Sequence, residues 1–503
     1  MQWSPQQQAF IDWTAKGEGS CVLEAVAGSG KTTTILGSID VIPGKSAILA
    51  YNKKIAEEIK AKLAKKGIDF KQAEAGTVHS FGYKAYRNQF PKFKVEGYKV
   101  ANLIGNLKFP GIVPPPFLKY SAAIGDLVSM AKQRALGIIG SIDNDALWYE
   151  ISEHFDIISD DVPENVSKEI IALARTVLKA SNSQTDVIDY DDMVYLPLIH
   201  KVKIWPYDNV FVDEAQDTNP ARRALVRALV KKGGRAIFVG DRHQAIYGFT
   251  GADADSLDLS AADFNCVRMP LTTTYRCPKV IVNFAHQWVS HIEAHESAPE
   301  GKLSTETYEG FLKRNDLNGE AAVLCRNTAP LVKLAFTLIR NRIPCRVEGR
   351  EIGKGLVKLV TRWSTIKTTE GLVGRLEEYE DREVAKALAK KQENRAQMIE
   401  DQVATIKIII GHCNQDKKNQ ISDVVAAINT LFEDNVSGIL TLSTIHKSKG
   451  REWKRVFWLD RRGTCPSKYA RQAWQLEQEN NLQYVAATRA MDELIELAPS
   501  TTG

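Results

Sequence analysis

Three short segments carry residue types and spacings suited to phosphate chemistry. The first, AVAGSGKT at 25–32, follows an apolar run and precedes a helical pattern. Glycines let backbone N–H groups approach phosphate oxygens, and the N-terminus of the following helix adds a favourable dipole. In such a loop Lys31 reaches the β- and γ-phosphates and Thr32 holds Mg²⁺. The cradle itself is Gly28, Ser29 and Gly30, so Ala25, standing where the strict pattern has Gly, removes little. The second segment, FVDEAQD at 211–217, ends an apolar strand in adjacent carboxylates. There Asp213 suits a magnesium ion held through water, and Glu214 suits the positioning or activation of an attacking water. Acidic pairs also end strands on plain surfaces; the phosphate loop upstream gives this pair its role. The third, GDRHQAIYGFTGA at 240–252, follows another apolar run. Near the start, Gln7 carries an amide that can read the donor–acceptor edge of adenine, although taken alone a surface glutamine run is the simpler account.

The elements that must position these loops are readable. SCVLEAV (20–26), SAILAY (46–51), NVFVDE (209–214) and RAIFVGD (235–241) read as buried parallel strands ending in functional loops. Between them KKIAEEIKAKLAKK (53–66) and ARRALVRALVKK (221–232) read as helices. Strands alternating with helices predict an α/β sheet with its sites at the strand carboxyl ends. From about 82 to 186 the rhythm stops, giving way to a Pro-rich turn at Pro114–Pro116 and helical patterns. A second α/β rhythm begins near 263, with AAVLCR (321–326) and ILTLST (439–444) as strands. It is interrupted from about 363 to 435 by charged helical sequence in which Leu388, Ala396, Ile399, Val403, Ile406 and Ile410 fall near helical spacing. No repeat of fixed short period is present. The expected fold class is α/β, two parallel-sheet units each split by a mainly helical insertion.

Bulk properties bound the reading without deciding it. A chain of 503 residues has room for several domains of roughly 100–200 residues. With 66 basic and 61 acidic residues the net charge is +5, which by itself favours a neutral-surface enzyme over a nucleic-acid binder. The seven cysteines stand singly with no CxxC spacing, which argues against a zinc or iron–sulfur site and for free thiols. The first residues lack a basic region followed by an apolar run, and no stretch reaches the roughly 18 apolar residues of a membrane helix. The expectation is a soluble protein of the cytoplasm, of a bacterial or phage-infected cell, with no membrane partner.

Taken together, AVAGSGKT, DEAQD and GDRHQAIYGFTGA resemble the UvrD/Rep/PcrA-like superfamily-1 DNA helicases. Further family motifs appear in order: Gln7 in the N-terminal motif, AYNKK (50–54) as motif Ia, GTVHSF (76–81) as Ib, LTTTYRC (271–277) as IV, LSTIHKSKGREW (442–453) as V and QYVAATRA (483–490) as VI. The resemblance covers nearly the whole chain outside the two insertions. It implies two RecA-like motors, the first at 1–81 and 187–262 with its insert at 82–186, the second at 263–362 and 436–503 with a short insert at 363–435. It implies ATP and Mg²⁺ as cofactors. The nucleotide would be bound by Gln7, Ala27, Gly28, Ser29, Gly30, Lys31, Thr32, Thr33, Tyr275 on adenine and Glu452 on ribose. Catalysis would fall to Lys31, Asp213, Glu214, the γ-phosphate sensor Gln244 and the arginine fingers Arg276 and Arg489; Thr32 and Asp213 would hold the metal. The DNA contacts implied are Asn52, Thr77, His79, Ser80, Tyr247, Phe249, Thr444, His446 and Lys447. Tyr247 reads equally as a core aromatic, and His446 equally as a structural histidine linking the two sites.

Three departures fall on the DNA edge. The aromatic of motif Ia is shifted by one place in Ala50-Tyr51-Asn52-Lys53, motif III ends Thr250-Gly251-Ala252 where the family has Arg-Gly-Ala, and Thr274 replaces the usual Asn of motif IV. The chain ends 14 residues after Arg489, which reads as leaving no room for a nuclease domain or a long partner-binding tail. The partners implied are single-stranded DNA and tailed duplex DNA, with replication or repair proteins beside them, and the chain is expected to work as a monomer moving 3′ to 5′. Two rivals stand beside a helicase: a translocase that strips proteins from single strands without unwinding, and a non-motor ATP-dependent switch or assembly protein.

Overall fold

A computed structural model describes residues 3–500 apart from 17, 106–110, 156, 159–161, 247–254, 364, 390–392 and 433–437. The chain divides into two compact units, Met1–Leu271 and Thr272–Gly503. Among the described residues no helix is long and apolar enough to cross a membrane.

The first unit is built on a six-stranded sheet whose pairings are all parallel. Its strands are β1 (Cys21–Ala25), β2 (Ser46–Ala50), β3 (Ala73–Thr77), β4 (Tyr207–Asp213), β5 (Val230–Gly240) and β6 (Val267–Leu271), in the spatial order β3-β2-β4-β5-β1-β6. β2 is buried along its whole length, and β4 and β5 are buried as they approach their carboxyl ends. Such strands are covered on both faces, which is why they read as continuous apolar runs. The helix read over 221–232 ends at Leu229, and Val230-Lys231-Lys232 already belongs to β5. β-branched Val230 favours extension, and Gly233 at φ +78° then lets the strand bend before it rejoins β4 at Arg235.

Helices Lys99–Ile104, Ser121–Gln133, Asp145–His154 and Glu164–Ser183 form a separate apolar core with Tyr86, Ile124, Trp148, Ile170, Val177 and Tyr195. The Pro-rich turn is there: Pro114 precedes a short 3-10 helix over Pro115–Tyr120. Buried charge ties this block to the motif Ib helix, Val78–Gln89. Lys132 pairs with Asp189 at 2.6 Å and Asp192 at 2.7 Å, and Lys99 pairs with Asp192 at 2.7 Å. Lys99 also donates to the carbonyls of Ser181 and Gln184. Asp192 begins the helix Asp192–Ile199, which packs on Val78–Gln89.

The second unit repeats the plan with β7 (Lys302–Glu306), β8 (Ala321–Cys325), β9 (Cys345–Val347), β10 (Leu440–Thr444), β11 (Trp453–Leu459) and β12 (Ala490–Leu497) in the parallel order β7-β12-β11-β8-β10-β9. Between β9 and β10 lie helices including Thr369–Ala389, Glu393–Gln415 and Ile421–Leu431. Ala396, Ile399, Val403, Ile406 and Ile410 are buried as their spacing predicts. Leu388 is not: it sits on the preceding helix and is 40% exposed, because that helix ends at Ala389 and breaks the phase. Asp401 fastens the insertion to the sheet by accepting the N–H groups of Thr328 and Ala329, both at 2.9 Å, at the start of Thr328–Arg340.

Asp192→Ala leaves two buried ammonium groups sharing one carboxylate. It is expected to destabilise the first unit by about 3–5 kcal/mol, because breaking a buried pair uncovers a charge that water cannot reach. Urea denaturation of the variant against the parent measures this, and a loss under about 1 kcal/mol would contradict the clasp.

Candidate nucleotide and nucleic-acid sites

In the first unit the phosphate loop leaves the carboxyl end of β1. Gly28 at φ +73° and Gly30 at φ +80° take the left-handed turns that aim the loop backbone, and Gly30 caps the helix Lys31–Ile39. Lys31 folds over the loop, its Nζ donating to the carbonyls of Ala25 at 3.1 Å and Val26 at 3.3 Å. Ser29 is 1% exposed and its Oγ has no hydrogen-bond partner among the described residues, an orphaned donor of the kind a bound anion satisfies. Thr32 and Thr33 stand half-buried in the first helical turn, and Ala27 is fully buried at the base of the loop. These groups fit a nucleotide's phosphate chain. Gln7 is buried against the same loop: Nε2 donates to Thr34 Oγ1 at 3.1 Å and Ser29 O at 3.5 Å, and Oε1 accepts the Ser4 N–H. A Cβ at Gly30 would stand 3.1 Å from that Nε2, so the loop and Gln7 are built to each other.

The carboxyl ends of β4 and β5 complete this side. Asp213 is 5% exposed, and its Oδ1 accepts the Glu214 N–H at 3.0 Å. Glu214 holds a left-handed backbone, φ 54° and ψ 44°, which costs a non-glycine residue of order 1 kcal/mol or more. Its carboxylate accepts from Gln216 Nε2, Gln216 Oε1 accepts the Asp241 N–H at 3.0 Å, and Asp241 Oδ2 accepts from Gln244 Nε2 at 2.7 Å. Gly240 makes the approach possible, since a Cβ there would stand 2.4 Å from Gln216 Oε1. Glu214 and Gln244, 30 residues apart, are thus joined through Gln216 and Asp241. Neither linker was assigned from sequence. Both lie inside the quoted segments, and their polar side chains between strand and loop were the only signal. Arg242 adds a charged strut to Glu24 on β1 at 3.3 Å and to Asp258 at 3.1 Å. About two-fifths of that arginine is exposed, so the strut aligns the loop more than it stabilises it.

The motif Ia and Ib residues sit at the adjoining strand ends, where Ala50 and Thr77 are register partners. Asn52 Oδ1 caps Lys53–Lys65 by accepting the Ile55 N–H at 2.9 Å. Thr77 Oγ1 caps the motif Ib helix by accepting the Ser80 N–H at 3.1 Å, and Ser80 Oγ donates to Thr77 O at 2.7 Å. His79 is pushed down to about 4 by burial and by the neighbouring Arg222 cation, so it is neutral at pH 7 and offers hydrogen bonds without charge. It lines a cavity of about 90 Å³ with Lys132, Gln133, Asp191, Asn219 and Arg222. Arg222 also lies 5.7 Å over the ring of Tyr51, the shifted aromatic of motif Ia. It is a cation on this edge that the sequence reading left unassigned. Tyr247, Phe249 and the Thr250-Gly251-Ala252 ending lie outside the described residues.

The second unit brings motifs IV, V and VI together. Arg276 Nε donates to Glu452 Oε2 at 2.6 Å, and its Nη1 donates to Thr488 O at 3.3 Å. Arg489 is 1% exposed and donates to Val485 O at 2.9 Å, Arg451 O at 3.2 Å and Thr488 Oγ1 at 3.2 Å. Thr274, in place of the usual Asn, accepts the N–H groups of Arg276 at 3.3 Å and Cys277 at 3.4 Å, so it sets the turn carrying the arginine. Tyr275 is 45% exposed, and its ring centroid lies 4.9 Å from that of His295. Thr444 ends β10 and caps the short helix Ile445–Ser448 by accepting the Lys447 N–H at 3.4 Å. Burial, with Arg326 and Lys447 nearby, holds His446 well below the usual histidine range.

A parallel sheet that gathers a phosphate loop, an acidic strand end and a glutamine-bearing third loop on one edge defines a P-loop nucleotide-binding unit. Residues 3–265 match the UvrD/REP helicase N-terminal domain and residues 358–497 the UvrD-like helicase C-terminal domain, and the chain belongs to the UvrD/REP helicase family. It is similar to the ATP-dependent DNA helicase PcrA of Staphylococcus epidermidis, 26% identical over 382 residues, 66% of this chain and 49% of that protein. The PcrA of Staphylococcus aureus is 26% identical over 379 residues with the same coverage. The chain therefore spans about half the length of these curated relatives.

The neutral His79 gives stability a pH dependence of known sign. The unfolded chain takes up a proton at the ordinary histidine value of 6.5 while the folded chain does so only near 4, so stability is lost as pH falls from 6.5 toward 4. The loss between pH 7 and pH 5 is of order 1–2 kcal/mol, and His446 acts in the same direction. Melting curves should show His79→Gln losing less stability than the parent over this interval; equal slopes would contradict a neutral His79.

Proposed function

We propose that this chain is an ATP-driven motor that moves 3′ to 5′ along single-stranded DNA and couples hydrolysis to duplex unwinding. The observation that carries the reading is the hydrogen-bonded line Glu214–Gln216–Asp241–Gln244 beside a left-handed phosphate loop, in a chain of a helicase family. It joins the water-directing carboxylate to the group placed to sense the γ-phosphate. Lys31 and the loop amides of Ala27–Thr33 bind the triphosphate, with Gln7 and Tyr275 on adenine and Glu452 on ribose. Thr32 and Asp213 would hold Mg²⁺, which when bound neutralises charge on the β- and γ-oxygens. Glu214 directs the attacking water, and Arg276 and Arg489 stabilise charge on the transferred phosphoryl group.

The motor is assigned residues 1–81 and 187–262, with 82–186 inserted, and 263–362 and 436–503, with 363–435 inserted. Each motor holds the DNA strand by groups at its strand ends: Asn52, Thr77, His79 and Ser80 in the first, Thr444, His446 and Lys447 in the second. Tyr247 and Phe249 stack on bases, a sequence-tolerant contact worth about 1–3 kcal/mol per base. Cycles of ATP binding and hydrolysis change which motor grips, so a monomer advances along one strand. The relatives named above are ATP-dependent DNA helicases, and their names support the substrate assignment.

ATP hydrolysis should rise at least tenfold on adding single-stranded DNA, and its absence would rule out a motor in favour of a switch. A duplex with a 3′ tail should be unwound and one with a 5′ tail should not; stimulated hydrolysis without strand separation on either would indicate a protein-stripping translocase. Lys31→Ala should lower hydrolysis by about 10²-fold or more while leaving the melting temperature unchanged. Affinity for the single strand should fall linearly on a log–log plot against salt, as phosphate contacts require.

A further inference from the structure

A carboxylate outside every assigned motif stands behind the two arginines of the second unit. Glu348 follows β9 directly, is 8% exposed, and is fixed by its N–H donating to Leu442 O of β10 at 2.8 Å. Its Oε1 accepts from the Arg451 guanidinium and lies 3.4 Å from Arg346 Nη2. Arg451 occupies the turn between Ile445–Ser448 and β11. Gly450 takes φ +80° in that turn, and the Arg451 N–H closes it on Ser448 O at 3.0 Å.

This turn contributes a contact to each arginine. The Arg451 carbonyl accepts from Arg489 Nη1 at 3.2 Å, the next residue, Glu452, takes Arg276 Nε at 2.6 Å, and the next, Trp453, donates its N–H to Arg489 O at 3.0 Å. Arg451 and Glu452 thus each take one guanidinium group, beside the bonds these make to Val485 and Thr488, and Trp453 fixes the Arg489 backbone; the anchor that reaches back from the turn to the neighbouring strands is the Arg451 side chain on Glu348. The same turn directly follows the Thr444–Lys447 segment. A pull on that segment reaches the arginines through four residues of backbone, Ser448 to Arg451, pinned at one end by this ion pair.

We infer that Glu348 is a positioning residue for ATP turnover: by pinning Arg451 it fixes the 449–452 turn, and so orients Arg276 and Arg489 toward the nucleotide. This rests on the reading of Arg276 and Arg489 as the groups that stabilise the transferred phosphoryl. Glu348 is assigned no contact with nucleotide or DNA; its loss acts through the turn, chiefly on the rate through the two arginines and secondarily on ATP affinity through Glu452.

The test is steady-state hydrolysis of ATP with saturating oligothymidylate by Glu348→Gln, Arg451→Glu and the exchanged pair Glu348→Arg with Arg451→Glu. Melting temperature and oligothymidylate affinity are measured alongside. Glu348→Gln should lower kcat about tenfold and raise KM for ATP by about threefold at most through Glu452, with DNA affinity unchanged and melting temperature preserved. The exchanged pair should recover at least half of the lost rate that Arg451→Glu alone does not. A Glu348→Gln enzyme turning over within about twofold of the parent overturns the inference, as does a rate loss accompanied by a matching fall in melting temperature and no recovery in the exchanged pair. Arg489→Ala separates the two readings. If it hydrolyses ATP normally, the arginine assignment itself fails; if it is inactive while Glu348→Gln is normal, only the positioning role fails.

Discussion

In a parallel sheet every strand delivers its carboxyl end to the same edge, and this one constraint arranges everything else in the first unit. The spatial order β3-β2-β4-β5-β1-β6 puts the loops of β4, β5 and β1 side by side, with Asp213, Asp241 and the phosphate loop, and the loops of β3 and β2 next to them, with Thr77 and Asn52. β4 is the border strand. The segment that leaves it touches both halves: Glu214 accepts from Gln216, which in turn accepts the Asp241 N–H, while Asp217 O accepts from Arg222 at 2.9 Å, and Arg222 lies over Tyr51 and beside His79. Nine residues, Glu214 to Arg222, thus give a contiguous physical route from the carboxylate proposed to direct water to the edge assigned to DNA, of the packed and hydrogen-bonded kind that can carry coupling.

The energetics explain why that route stays put. A left-handed Glu214 is unfavourable alone, and the hydrogen bonds from Gln216 through Asp241 to Gln244, each worth about 1 kcal/mol net, offset it. The motif Ib helix packs against the helix Asp192–Ile199, whose first residue anchors the buried Lys99 and Lys132. Such a clasp adds little net stability over an apolar core, but it has one geometry, since any shift strands a charge. It therefore fixes where His79 stands relative to Arg222 and Asn219.

Much of this was legible in the residues. The strands rich in Val, Ile, Leu and Phe, such as β1, β2 and β4, announce themselves, and the phosphate loop needs only its own glycines and lysine. β3, with the sequence AEAGT, and β7, with KLSTE, carry no such signal; both lie at sheet edges, where fewer contacts demand apolar side chains. Gln216 and Asp241 were not assigned because their bond spans 25 residues and exists only once β4 and β5 are neighbours. Lys132 and Asp192 escaped for the same reason, and Leu388 was misplaced because a helix end interrupts a spacing that otherwise looks continuous.

The two units share a device that no short-period repeat discloses. β3 ends in Thr77 and β10 in Thr444; each threonine caps the helix that follows, and a histidine stands two residues on, His79 and His446. Each histidine is depressed first by burial and then by a neighbouring arginine, Arg222 in one unit and Arg326 in the other. Charge at these points is carried by the arginines, and the histidines are kept neutral beside them. A neutral ring can pass a hydrogen bond between a strand-side group and the interior without changing the local charge, whereas a protonated ring would repel the arginine it touches. Held this way, each edge keeps the same charge across neutral pH, the arginine supplying the cation and the histidine none.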